Sequence, residues 1–243
     1  MIQNNHFFIL VLINMFFISN HLFADVKVAE FSKLKPNTTL EGGWEPLTFE
    51  SIETKTAYFV VTDENKSVVK AISNSSASGM VLRKKLDVYK TPILRWQWKI
   101  DNVITKADLK TKEGDDYPAR IYVTFDFDKD KLSTFERFKV GLYETFYGET
   151  PPLAVLNYVW DNKYPVNTIS DNAYTDRVKM IVVRSGASSV SQWMSEQRNI
   201  LEDYKKAFGE PPSSISGIAI MTDTDNTGSA ATAYYGDITF SAK

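Results

Sequence analysis

Cysteine is absent from this 243-residue chain, and histidine occurs only at His6 and His21. Without cysteine the chain has no disulfide and no thiol nucleophile. Both histidines precede residue 25, so a cleavage there would also remove every imidazole. The remaining chain would then exclude Ser-His-Asp catalysis, Cys-His catalysis and ordinary zinc sites. Any catalysis would fall to Asp, Glu, Tyr, Lys, Arg or Ser, and any metal would be a hard cation held by oxygen.

The sequence also lacks an excess of charge of either sign. It has 28 Lys and Arg against 30 Asp and Glu, which gives a formal net charge of −2. A nearly neutral chain does not have the basic surface that binds phosphate backbones. We therefore expect no nucleic-acid partner.

The first 24 residues contain no Asp, Glu, Lys or Arg. An apolar run spans residues 7–18, broken by Asn14, and Ala24 follows shortly after it. This pattern is typical of a secretory signal peptide, and it is short for a membrane span, which needs about 20 apolar residues. We expect residues 1–24 to be cleaved near Ala24, which leaves a periplasmic or secreted chain without a membrane span. An uncleaved anchor is the alternative.

Short apolar or alternating runs fill residues 25–243, with Gly, Pro, Asn, Asp and Ser between them. This spacing predicts a single mainly β domain, an antiparallel β-sandwich or jelly roll. The predicted strands are 26–34, 47–52, 58–62, 68–73, 79–86, 93–100, 120–127, 154–160, 178–184, 215–222 and 232–240. Apolar stripes at helical spacing in 133–148 and 191–208 predict one or two packed helices. For residues 193–200 an extended lead-in to a shorter helix is the alternative.

Two predicted strands, 93–100 and 120–127, alternate cleanly between an apolar face and a face of Arg, Lys, Gln, Tyr and Asp. Such alternation separates a core face from an outer face. If the two strands are neighbours in one sheet, their outer faces form a polar floor that suits a glycan or another small polar ligand. Tyr158 and Trp160 are candidates for stacking on a sugar, and a solvated sheet face is the alternative. The predicted ligand contacts are Arg95, Lys99, Arg120, Tyr122 and Asp126.

Residues 113–120 combine two adjacent carboxylates, a Tyr-Pro step and an arginine that enters a strand. Asp115 or Asp116 can ligate a hard cation or act as a general acid or base. With Asp126 as a further carboxylate and Arg120 as charge stabiliser, they support a rival hypothesis of a glycan hydrolase or lyase. A plain turn is the alternative for this segment. An envelope interaction module without a small ligand is the third functional hypothesis.

A second acidic segment, 218–228, runs from an apolar strand into Asp-Thr-Asp-Asn-Thr-Gly. Asp223 and Asp225, together with Asp237 and Glu41, can form a structural Ca²⁺ site, since close carboxylates repel one another unless a cation neutralises them. The alternative needs no cofactor. In it, Asp223 and Asp225 cap backbone N–H groups in an Asx-rich turn.

Several blocks of unusual composition occur in order along the chain. They are Trp44-Glu-Pro, Leu94-Arg-Trp-Gln-Trp98, Gly114-Asp-Asp-Tyr-Pro-Ala-Arg120, Trp193 through Tyr204, Phe208-Gly209, Met221-Thr-Asp-Thr-Asp-Asn-Thr227 and Tyr234-Tyr-Gly-Asp-Ile-Thr-Phe240. In these blocks the chain resembles the exported bacterial proteins of domain of unknown function 3047. The resemblance implies one exported domain and assigns no activity. The last block is also similar to the final strand of jelly-roll carbohydrate-binding modules, in which Asp237 and Glu41 would lie beside a structural calcium.

Overall fold

The computed structural model describes residues 25–126 and 154–242. These two stretches contain thirteen β-strands and one α-helix. In chain order the strands are β1 (Val26–Ala29), β2 (Trp44–Leu47), β3 (Ala57–Asp63), β4 (Lys66–Asn74), β5 (Ala77–Leu86), β6 (Ile93–Ile100), β7 (Arg120–Phe125), β8 (Ala154–Asp161), β9 (Ile169–Asn172), β10 (Thr175–Ser185), β11 (Met194–Asn199), β12 (Ile215–Asp223) and β13 (Ala230–Ser241), and the helix is α1 (Ile200–Phe208). The prediction of a mainly β chain is confirmed.

The strands form two sheets. The first has the order β11-β6-β13-β4-β3, with β1 also paired to β13, and the second has the order β2-β5-β12-β7-β8-β10-β9. Among the described residues every strand pair is antiparallel except β8 with β10, which is parallel. The two sheets enclose a common hydrophobic core. The fold is therefore the β-sandwich of jelly-roll type that the sequence predicted.

Aromatic side chains join the two sheets across this core. Trp96 on β6 lies 5.5 Å from Tyr158 on β8, and Trp98 lies 5.9 Å from Trp160, measured between ring centroids. Tyr158 and Trp160 are fully buried. The idea that these two rings stack on a sugar is thus wrong, because the alternation of β8 turns them inward as anchors of the core.

The long connection between β6 and β7 covers the outer face of the second sheet. Its Leu109 and Tyr117 pack on Val159, Met180 and Val182 in a separate cluster of buried residues. As a result all eight residues of β8 are buried, which means that both faces of this strand are shielded from water. The connection is thereby held against the sheet.

The segment 191–208 contains a strand followed by a short helix, so the extended lead-in is confirmed. β11 ends at Asn199, whose Oδ1 accepts hydrogen bonds from the backbone N–H groups of Leu201 (3.1 Å) and Glu202 (3.3 Å) and caps α1. Gly209 ends the helix in the left-handed conformation. The second predicted helix, 133–148, lies outside the described residues. In the described part of the chain, no helix combines the length and apolarity that crossing a membrane requires.

One predicted strand is misplaced. The predicted strand 47–52 overlaps the observed strand β2 only at Leu47, and a turn follows at residues 50 and 51. β2 contains Pro46 but occupies the edge of the second sheet, where a residue without an N–H donor is tolerated. The four-residue strand β9 was not predicted, since its sequence is polar and half exposed.

Candidate functional site

The condition for a shared polar floor is not met, because β6 belongs to the first sheet and β7 to the second. Arg95 and Lys99 therefore lie on the outer face of the first sheet. Arg120 and Tyr122 lie on the outer face of the second sheet, as does Asp126 just beyond β7, where its carboxylate pairs with Lys85 at 2.7 Å. The five predicted contacts do not converge. Alternation fixes the face of a strand but not the sheet that the strand joins.

A depression of about 370 Å³ opens on the outer face of the first sheet. Its wall is the tip of the β3–β4 hairpin, where Glu64 and Asn65 both have positive φ, as a tight hairpin turn requires. Side chains that face the depression include Ser32, Asp63, Lys66, Gln97, Trp193 and Asp237. Of these residues the sequence had given a site role only to Asp237, as a calcium ligand.

Lys99 lies beneath the depression and contacts both Asp63 and Trp193. Its Nζ lies 2.6 Å from Asp63 Oδ2, and the Nε1–H of Trp193 donates to the same oxygen at 2.7 Å. The Lys99 ammonium also lies 5.4 Å from the Trp193 ring centroid. Burial raises the pKa of Asp63, but the hydrogen bonds from Lys99 and Trp193 outweigh it and hold that pKa below its ordinary value. Lys99, 8% exposed, thus positions Asp63 and Trp193 rather than facing solvent.

The opposite side of the depression is formed by an irregularity in β13. The register shifts between Tyr235 and Ile238, and a Cβ at Gly236 would lie 3.2 Å from Cβ of Gln97. The next carboxylate, Asp237, accepts hydrogen bonds from the N–H (2.8 Å) and hydroxyl (2.6 Å) of Ser32. A small residue is needed at this close approach, and the shift turns Asp237 toward the depression.

The depression continues toward β11 along β6. Arg95 Nε donates to Gln197 Oε1 at 2.8 Å, and Gln97 Nε2 donates to Ser195 Oγ at 3.0 Å. These side chains line a shallower hollow of about 290 Å³, which shares Gln97 with the depression. Arg95 is therefore part of the same surface as Lys99.

A second polar cluster is built around Arg120, which is 2% exposed. Its Nε donates to Asp223 Oδ1 at 2.7 Å, and its Nη2 donates to the other oxygen of the same carboxylate. Its Nη1 reaches Asp115 Oδ1 at 3.2 Å and the Tyr122 hydroxyl at 3.3 Å. The guanidinium carbon lies 4.4 Å from the centroid of the Tyr117 ring. Two acidic segments that the sequence treated separately therefore meet at one arginine.

Asp116 completes this cluster and is fully buried. Its carboxylate accepts the N–H of Asn226 at 3.2 Å and of Thr227 at 2.7 Å, so it caps the turn after β12. Carboxylate oxygens of Asp116, Asp223 and Asp225 lie within 4.8 Å of one another and are the groups that can hold a cation. Burial, opposed by Arg120, raises the pKa of Asp223, and burial together with the charge of Asp116 raises that of Asp225.

This arrangement corrects the predicted calcium set. Asp223 and Asp225 lie close together, but their third carboxylate is Asp116. Asp237 lies on the other sheet with Ser32, and Glu41 is exposed. The cause is the topology, because β12 and β13 are consecutive in the chain but join different sheets.

The acid–base pair of the hydrolase hypothesis requires two carboxyl groups across an open cleft. Asp116 is instead buried on backbone N–H groups. Asp115 is held by Arg120 and by Asn172 Nδ2 at 2.8 Å, and Asp126 pairs with Lys85 beyond the end of β7. Among the described residues these carboxylates do not flank a cleft.

Three of the solved structures that this chain resembles are distant in sequence. The carbohydrate recognition domain of Emp47p is 10% identical with a TM-score of 0.43, and the match covers 88% of this chain and 94% of that one. A meso-active thermostable cellulase derived from Cel12A of Rhodothermus marinus is 11% identical with a TM-score of 0.41, covering 89% and 100%. The Endo-D glycoside hydrolase domain from Streptococcus pneumoniae R6 is 10% identical with a TM-score of 0.35, and the match covers 82% of this chain and 21% of that one.

Comparison at the level of sequence is more specific. A search of curated proteins gives no match. A family model described as a protein of unknown function (DUF3047) matches residues 42–239. That range includes both polar clusters described above, except for Ser32. Because the match spans most of the chain, this protein belongs to the DUF3047 family.

Proposed function

We propose that this protein is exported and binds a glycan or another small polar ligand in the depression on the outer face of the first sheet. The observation that carries the proposal is the half-exposed indole of Trp193, fixed by its 2.7 Å hydrogen bond to Asp63 at the side of a polar hollow. An aromatic ring next to hydrogen-bonding groups suits a sugar, which has an apolar ring face and hydroxyls around its rim.

Two carboxylates at the depression already have hydrogen-bond partners, and Glu64 and Lys66 also line it. Asp63 is already paired with Lys99, and Asp237 accepts two hydrogen bonds from Ser32. Carboxylates held in this way keep further lone pairs that can accept sugar hydroxyls, and Gln97 adds an amide that both donates and accepts. Groups that are fixed before the ligand arrives lose less conformational entropy on binding.

The proposed setting is the periplasm or the outside of the cell. Residues 1–24 would be removed near Ala24, and residues 25–243 would form the mature domain. Mass spectrometry of the N-terminus after expression in a bacterial host tests this part, with Asp25 expected as the first residue. A retained N-terminus would favour the uncleaved anchor.

Binding is tested by a glycan array and by calorimetry of the purified protein against fragments of cell-wall and exopolysaccharide. Replacement of Trp193 by alanine should weaken binding about fivefold, since a lost ring contact costs about 1 kcal/mol. Tyr89, 59% exposed elsewhere on the surface, provides the matched control for an exposed aromatic ring. The proposal fails if the panel gives no binding, or if Trp193→Ala and Tyr89→Ala bind as tightly as the native protein.

A further inference from the structure

Five side chains form a single row across the outer face of the first sheet. In spatial order they are Phe59, Lys70, Tyr234, Lys99 and Trp193. The strand register places Phe59 opposite Lys70, Lys70 opposite Tyr234, and Tyr234 opposite Lys99. The antiparallel pairing of β6 with β11 continues this line to Trp193, whose ring lies 5.4 Å from Lys99 Nζ. The row therefore crosses β3, β4, β13 and β6 and ends beside β11.

Aromatic rings occur on every second strand of the row. Neighbouring strands are about 4.8 Å apart, so the backbone positions of Phe59, Tyr234 and Trp193 are about 9.5 Å apart along the row. Lys70 and Lys99 lie on the strands between them, with Nζ atoms 5.4 Å and 4.5 Å from the Tyr234 ring centroid. Phe59 is 48% exposed although it is a large apolar side chain. Along the row, aromatic residues thus alternate with lysines, of which Lys99 is buried.

This interval matches the repeat of one class of polymer. In an extended β-1,4-linked glycan each sugar is turned over relative to the one before it, so every second sugar presents the same face. The length of two such sugars is close to two strand spacings. An α-1,4-linked chain of the same sugars curls into a helix and does not repeat its faces along a line at this interval.

We propose that this row is an extended binding track for a linear β-1,4-linked glycan that lies across the strands, with the depression at Trp193 as one end. The inference rests on the proposed function and names its ligand class. Each ring stacks on one sugar of every pair, which adds contact area as the chain lengthens. Lys70 has no carboxylate within ion-pair distance among the described residues, so its ammonium can donate to the intervening sugars.

Calorimetry with cellohexaose, chitohexaose and maltohexaose tests the linkage, and cello- and chito-oligosaccharides of two to six sugars test the length. We expect one of the two β-1,4 series to bind more tightly than maltohexaose and to gain affinity with each added pair of sugars. Phe59→Ala should weaken hexasaccharide binding about fivefold, as expected for one lost ring contact, and leave the disaccharide unchanged. Val166→Ala, which removes another exposed apolar side chain, is the matched control.

The outcomes distinguish a failure of the extended track from a failure of the proposed binding site. Affinity that depends on Trp193 but not on chain length, or that is equal for maltohexaose, overturns the track and leaves the proposed function standing. An unchanged hexasaccharide affinity in a folded Phe59→Ala variant overturns it too. If neither β-1,4 series binds, the track is wrong, and the broad glycan panel then decides the proposed function separately.

Discussion

The guanidinium of Arg120 and the carboxylate of Asp223 meet along two hydrogen bonds on neighbouring strands, with 2% and 3% of each residue exposed. They are 103 positions apart in the sequence. Burial of such a pair removes both charges from water, so its net contribution to stability is small while both partners are present. The loss of Asp223 is a different matter, because Arg120 would then stay buried with Asp115 as its one remaining carboxylate partner among the described residues.

Asp223→Ala should therefore lower the free energy of unfolding by up to about 3–5 kcal/mol, the usual effect of breaking a buried ion pair. The double replacement Arg120→Met with Asp223→Leu should recover most of that loss. Urea denaturation measures both. Lys90→Ala, which breaks an exposed pair with Asp87, is the control and should change stability by at most about 1 kcal/mol. A loss below that level in Asp223→Ala would mean that the pair is not held as described.

The carboxylates around this pair yield a prediction about calcium. Burial and the charge of Asp116 raise the pKa of Asp225, so ionised Asp225 is less favourable in the folded than in the unfolded state. In EDTA at neutral pH, Asp225→Asn should raise the melting temperature, with a gain that shrinks as the pH falls through the carboxylate range. Control melts of Asp176→Asn account for a general change in net charge.

Excess Ca²⁺ then shows whether this cluster binds the ion or only caps the turn without a metal. If Asp116, Asp223 and Asp225 hold the ion, Ca²⁺ at about 100 times its Kd stabilises the native protein by about 2.7 kcal/mol and has less effect on Asp225→Asn. A native melting temperature that is the same in EDTA and in Ca²⁺ leaves only the capping of the turn by Asp116.

The lowered pKa of Asp63 predicts how the stability of the protein changes at acid pH. Its pKa is lowered in the folded state, so its contribution to stability is complete above the unfolded value of about 3.8 and is lost as the pH falls through the lower, folded value. Asp63→Asn should therefore be less stable than the native protein at pH 7, and the difference should narrow below about pH 3.8. Unfolding followed by tryptophan fluorescence measures this. Glu64→Gln on the same turn is the control, and an equal gap at both pH values would contradict the assignment.

A substitution at Gly114 tests how closely the β6–β7 connection is packed. A Cβ at this position would lie 2.5 Å from the backbone N of Asp108 and 2.8 Å from its Cβ, which is too close for either to remain in place. Gly114→Ala should destabilise the protein by about 1–3 kcal/mol through this overlap. The exposed neighbour Glu113, changed to alanine, should stay within about 0.5 kcal/mol. Chemical denaturation compares the two, and an unaltered Gly114→Ala protein would show that the loop is free to move.

Local pattern was sufficient to predict most strands and their inward faces. β6 has the predicted bounds, and its Trp96 and Trp98 are buried as the alternation required. The period of a strand follows from its own side chains, which need only one face in contact with the core. The same holds for the stop at Gly209, where a glycine follows a helical stripe.

The candidate site depended on contacts that no local pattern contains. Asp63 lies on a hairpin tip 36 positions before Lys99, and nothing in either segment indicates that they meet. Trp193 was assigned to a helical stripe, yet it lies just before an edge strand and contributes a wall of the depression. Arg120 and Lys99 had equivalent patterns but joined opposite sheets. Sheet membership is set by long-range pairing, for which a single sequence carries little signal.

The double covering of β8 has a consequence for how the molecule opens. Both of its edges are hydrogen-bonded, to β7 and β10, and both of its faces are buried. Its amide protons can meet solvent only when the sandwich and the overlying connection come apart together, so their deuterium exchange reports the global free energy of unfolding. The edge strands β3 and β11, which flank the depression and the track, can fray without that event. The proposed ligand surface can thus adjust to a bound molecule while the interior remains closed.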